Sequence, residues 1–165
     1  MATMAVFKFH TPDGAAQMLS TLEAEQKQHL ITIQDAAIVT WPENKKKPKT
    51  KQLVNLTASG ALSGTFWGML FGLIFFVPFF GAAVGALMGA VSGHFADYGI
   101  DDNFIKETRN KVTQGTSALL LLASTQAIDK VGAAVKATGL KFEIIQTNLS
   151  LDQEKKMKEA FGEEE

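Results

Sequence analysis

Residues 57–96 read TASGALSGTFWGMLFGLIFFVPFFGAAVGALMGAVSGHFA. Gly60, Gly64, Gly68 and Gly72 recur at every fourth position, and after Pro78 the series restarts with Gly81, Gly85, Gly89 and Gly93. On an α-helix that spacing lines the glycines along one face, and two helices bare of side chains there approach closely. Ala82, Ala86 and Ala90 add a second small row to the second arm. The first arm is bulkier: Leu62, Phe66, Leu70 and Ile74 make one expected outward row, and Trp67, Phe71 and Phe75 another. In water each interior glycine costs a helix about 1 kcal/mol relative to alanine. The stretch is therefore expected to be a helical hairpin buried in a lipid bilayer or in the core of an oligomer, where an unpaired backbone does not persist.

As α-helices, Gly60–Val77 and Phe79–Phe95 would extend about 27 and 25 Å, the short end of a bilayer span. The turn, Ile74 to Phe80, contains nothing polar. Two geometries are open, a full span with the Phe-rich turn in the far headgroups, or a re-entrant hairpin with its tip in the apolar core. Both leave the two ends on one side. Lys45, Lys46, Lys47, Lys49 and Lys51 precede the first arm, and short basic flanks stay in the cytoplasm, where they attract anionic headgroups. The expected location is the inner (cytoplasmic) membrane with the rest of the chain facing the cytoplasm, the alternative a soluble cytoplasmic assembly. Trp67 lies too deep for an interfacial anchor, whereas Tyr98 is well placed for one.

Outside this stretch the chain is an ordinary soluble mixture. No Asp, Glu, Lys or Arg occurs between Lys51 and Asp97, which divides the 165 residues into 1–51, 52–97 and 98–165. Met4–Phe9 reads as a strand, Thr11-Pro12-Asp13 as the start of a helix running to His29, and Asp35–Trp41 as a second strand. Pro42–Lys51, with two prolines, reads as an exposed linker. Asp101 or Asp102 is placed to cap a helix carrying Phe104, Ile105, Thr108 and Val112, which Gly115 ends. Ser117–Ser124 contains an unbroken apolar run suited to a central buried strand. A helix over Thr125–Thr138 closed by Gly139, a strand over Leu140–Asn148 and a tail helix over Leu151–Phe161 complete the series. With the hairpin set aside, the expected fold class is α+β: a ferredoxin-like four-stranded sheet with helices on one face, interrupted by the inserted hairpin.

Basic and acidic residues number 16 and 17, for a net charge of -1, so no general attraction to nucleic acid is expected. Nor is the lysine run interleaved with aromatics beyond Trp41. The absence of cysteine excludes disulfides, thiolate metal sites and thiol nucleophiles. MATMAVFKFH lacks the plan of a secretory signal. His94, Asp97, Asp101 and Asp102 could offer metal ligands or a proton site. The favoured reading is structural, with His94 at an interface and an aspartate capping the next helix. His10 and His29 are isolated. Ser59, Ser63, Thr65 and Ser92 have no base placed to activate them and suit hydrogen bonds between helices. No cofactor, no metal and no catalytic group is expected.

The N-terminal β-α-β pattern, the doubled glycine ladder around Val77-Pro78-Phe79 and the run Asp-Tyr-Gly-Ile-Asp-Asp (Asp97–Asp102) leading into a helix together resemble domain-of-unknown-function family 1269, a family of predicted bacterial membrane proteins. The resemblance would cover nearly the whole chain and implies placement at a membrane, not chemistry. The expected function is a non-enzymatic, membrane-associated, homo-oligomerising protein. The alternatives are a soluble homo-oligomeric shell or ring with hairpins buried in an apolar, lipid-holding interior, and a small-molecule-binding ferredoxin-like domain anchored by the hairpin.

Overall fold

A strand apolar at every position has no face to give to water, and Leu119–Leu122 accordingly lies at the centre of the sheet. The computed structural model describes residues 2–27, 33–53, 64–76 and 95–161. In chain order these form β1 (Ala2–Phe9), α1 (Gly14–Lys27), β2 (Ile33–Trp41), β3 (Lys49–Gln52), α2 (Gly64–Phe71) continued by a π-helical turn (Gly72–Phe76), α3 (Asp102–Lys111), β4 (Thr116–Ser124), α4 (Thr125–Thr138), β5 (Phe142–Leu149) and α5 (Leu151–Phe161). The class is α+β, and the sheet has five strands in the order β3-β2-β4-β1-β5 with every neighbouring pair antiparallel.

The sheet corrects two expectations. It has five strands rather than four, because Lys49–Gln52, read as linker, pairs with Ala37–Thr40 of β2. Two prolines obscure this strand in the sequence, yet Lys-Thr-Lys-Gln suits a short edge whose side chains alternate between solvent and sheet. Helices also lie on both faces rather than one. On the first face α1 (Ala15, Met18, Leu22) and α4 (Ala127, Ile128, Val131, Val135) cover Ala5, Phe7, Phe9, Leu119, Leu121 and Ala123. The opposite face carries Ala2, Met4, Val6, Ala37, Val39, Trp41, Ala118, Leu120 and Leu122, and it is covered by α2, the π-helical turn, α3 and Met157 of α5. A sheet apolar on both sides requires cover on both sides.

The ends of the helices obey local chemistry. Asp101 caps α3 by accepting from Phe104 N at 2.9 Å, and Ser124 caps α4 by accepting from Ala127 N at 3.2 Å. Gly139 closes α4 with φ +80, a left-handed conformation that glycine adopts without strain. α1 departs from the expectation that Thr11 caps it. Its Ala15 N donates instead to Ser117 Oγ of β4 at 2.9 Å, while that hydroxyl donates to Thr11 O at 2.7 Å. One serine thus ties the first helix to the central strand.

Candidate functional site

The described part of the glycine-rich stretch is α2 and its π-helical turn. Phe66, Leu70 and Ile74 lie along one strip of this arm and Trp67, Phe71 and Phe75 along the next, and each is at most 4% exposed. Both rows, expected outward, are turned inward onto the sheet. The sheet-side partners include the small residues Ala2, Ala37 and Ala118, which share one buried cluster with these rings. Burying such side chains stabilises by roughly 1.5–3 kcal/mol each, more than glycine-on-glycine contact provides. The rings interlock: Phe66 meets Trp67 edge-on at 5.2 Å and Phe95 at 5.4 Å, Trp67 stacks on Phe71 at 5.8 Å, and Phe75 meets Trp41 of β2 edge-on at 5.9 Å.

Gly68 and Met69 are left on the outer side of the arm. Both are exposed, and a Cβ on Gly68 would meet nothing within 4 Å among the described residues. Gly72, by contrast, is buried. The π-helical turn begins at this residue, and its wider winding rotates the residues beyond it, so a four-residue spacing does not keep Gly68 and Gly72 on one ridge. Gly60, Gly81, Gly85, Gly89, Gly93, Ala82, Ala86 and Ala90 lie outside the described residues, as do Leu62, Pro78, His29, His94, Ser59, Ser63 and Ser92.

One charged side chain reaches the arm. Arg109 of α3 donates from Nε to Ile74 O at 2.9 Å and from Nη2 to Leu73 O. A planar guanidinium reaches two neighbouring carbonyls of the π-helical turn at once, which a single ammonium could not do in the same geometry. Arg109 is the only arginine in the chain. Sequence reasoning missed it, although a signal was present: it stands four residues after Ile105, on the buried side of its helix. Trp67 Nε1 is buried with no hydrogen-bond partner among the described residues.

The five lysines flank the entry to this arm. Lys45, Lys46, Lys47, Lys49 and Lys51 are all exposed, the first three in the β2–β3 loop and the last two on β3. The loop is held rigidly. Trp41 Nε1 and Gln114 Nε2 both donate to Lys45 O at 2.9 Å, and Gly115 N donates to Trp41 O at 2.7 Å. Gly115 has φ +81 and lies against Glu43, so the turn before β4 requires glycine. Asp35, fully buried, accepts from Ala36 N at 2.8 Å and from Gln52 Nε2 at 3.2 Å, fixing the last residue of β3 beside β2. A lysine-bearing edge therefore leads directly into the uncharged stretch.

The run Asp97–Asp102 is built as a structural turn. Gly99 has φ +92 and lies against Gln153 and Asn148 O, and its carbonyl accepts from Thr147 Oγ1 at 2.8 Å. Ile100 is buried and Asp101 is the cap already described. Asp97, Asp101 and Asp102 are exposed, and no group of three potential metal ligands occurs among the described residues. Tyr98, placed by sequence at an interface, is half-buried and packs edge-on against Phe95 at 6.1 Å. Elsewhere Glu143 of β5 bridges Lys111 of α3 at 3.0 Å and Lys8 of β1 at 3.1 Å, and these two ammonium groups, Lys111 foremost, lower its pKa to about 2.

The structure defines an α+β protein with an aromatic arm docked on its sheet. The family described as "Protein of unknown function (DUF1269)" matches residues 61–162, more than half of the chain, and the chain belongs to that family. The match begins at the glycine-rich stretch and does not reach the N-terminal β-α-β unit, a narrower extent than the sequence resemblance implied. No curated protein and no solved structure matches.

Proposed function

We propose that this is a non-enzymatic, membrane-associated protein that assembles with copies of itself through its glycine-rich stretch. The supporting observation is the passage from five exposed lysines, three in the β2–β3 loop and two on β3, into a stretch without a charged residue from Gln52 to Ala96. Lysines there meet anionic headgroups while uncharged residues outside the docked arm enter the apolar layer. The body is read as ferredoxin-like: β2-β4-β1-β5, the sheet without its short edge, has the order of a doubled β-α-β unit. The outer side of the arm at Gly68 suits close approach of another helix, from the second arm or from a neighbouring subunit. The bacterial inner membrane, with the body in the cytoplasm, remains the proposed location.

The test is alkaline carbonate extraction of membranes from cells making the untagged protein. Retention in the extracted pellet, with release only by detergent, is the expected result. A second reading, a soluble assembly whose hairpins bury one another, is favoured by a separate observation: the arm already buries both bulky rows in its own body. Recovery as a large soluble particle would support that reading and overturn the first.

A further inference from the structure

The two edges of the sheet are treated differently. A free edge exposes backbone donors and acceptors that any strand can pair with, and proteins blunt it by shortness, charge, proline or bulges. β3 is blunted: it has four residues, and Lys49 and Lys51 are exposed on it. β5 is not. It runs for eight residues with no proline, glycine or lysine, and it pairs with β1 along its whole length in unbroken register. Among the described residues nothing pairs with its outer side. The helix after it does not shield it, because α5 turns inward across the sheet: Met157 is buried in the core, and Glu154 accepts from Gln34 of β2 at 3.2 Å. Ile144, Gln146 and Asn148 form an exposed row on one face of β5, and Ile144 is 43% exposed.

We infer that the outer edge of β5 pairs with the same edge of a second copy, across a two-fold axis at Ile144, so that two sheets become one. Antiparallel strands from identical copies place residues of the same face opposite one another, so the axis must pass through a residue. At Glu143 it would oppose two carboxylates; at Ile145 it would centre on a side chain already buried in its own core. At Ile144 the exposed isoleucine covers its own mate, Glu143 lies opposite Ile145, and Phe142 lies opposite Gln146. Glu143 is matched within its own chain by Lys111 and Lys8, so it brings no unpaired charge to the seam. In this register no like charges face each other and the two exposed isoleucines cover one another, a match that the symmetry of a second copy supplies by itself.

The chain has no cysteine, so single substitutions report cleanly. Directly opposed Cα atoms in an antiparallel pair lie about 4.5–5.5 Å apart, within disulfide range. Ile144→Cys in the full-length protein is expected to oxidise almost completely to a covalent dimer. Gln146→Cys, whose thiols would lie about 13 Å apart along the strands, is expected to give less than a tenth as much. Independently, Ile144→Lys is expected to halve the sedimenting mass with an unchanged circular dichroism spectrum. Equal cross-linking of the two cysteine variants, or an unchanged mass with lysine at 144, overturns the inference. Neither readout depends on whether the protein fractionates with membranes.

Discussion

Arg109 holds the docked arm through two backbone carbonyls. Arg109→Ala is expected to cost about 2–3 kcal/mol in denaturant unfolding, and Arg109→Lys to recover less than half, since an ammonium cannot fork onto both oxygens. Amide exchange over Gly64–Phe75 should rise in both variants, which separates loosening of the arm from a general loss of stability. Trp67 predicts the opposite: its indole N–H is buried with no partner among the described residues, so Trp67→Phe should change stability by less than about 1 kcal/mol, the lost ring area offset by removal of a desolvated donor. Glu143 has a depressed pKa, so its contribution is present above the ordinary carboxylate pKa of 4.5 and is lost as pH falls toward about 2. The difference in melting temperature between the native protein and Glu143→Gln should therefore be widest near neutral pH and vanish near pH 2. Of the roles of Arg109 and Glu143 the sequence carries little, because each depends on partners more than thirty positions away. The caps Asp101 and Gly139 were legible because their partners lie within four residues.

Among the elements, α2 departs most from its sequence pattern. Glycine spacing points to one face of a helix and ring spacing to another, but period alone does not say which face turns inward. The partners of the inward face include Ala2, Ala37 and Ala118, small residues on three strands that share one buried cluster with the rings. The consequence can be measured at Gly68. With open space around its Cβ position, Gly68→Ala should stabilise the isolated subunit by about 1 kcal/mol through helix propensity. Gly68→Leu should leave the subunit folded yet reduce assembly size in detergent, if this surface meets another helix as proposed. Unchanged assembly would remove Gly68 from the contact. β3 was illegible for another reason: prolines and lysines mark a loop in any local reading, and only the partner strand Ala37–Thr40 makes Lys49–Gln52 a strand. β4 was the converse, since four consecutive leucines leave no surface-exposed alternative.

At the scale of the molecule, the family match and the fold do not share a boundary. Residues 61–162 contain β4 and β5, yet these strands never touch: β1 lies between them, paired to both. A fragment spanning 61–162 is therefore expected to show no cooperative unfolding transition, and a peptide containing residues 1–53 supplied in trans should restore one. The same interleaving sets a schedule during translation. β1 and β2 are made early but are neighbours only through β4, which is made after the whole uncharged stretch. While the ribosome lengthens the chain from Ala96 toward Ser124, the aromatic arm has already been made and begins to emerge, and the surface that will receive it does not yet exist. For that interval, on the order of seconds at cellular elongation rates, the nascent chain offers its most apolar segment to whatever waits at the tunnel exit, before its own sheet can compete for it.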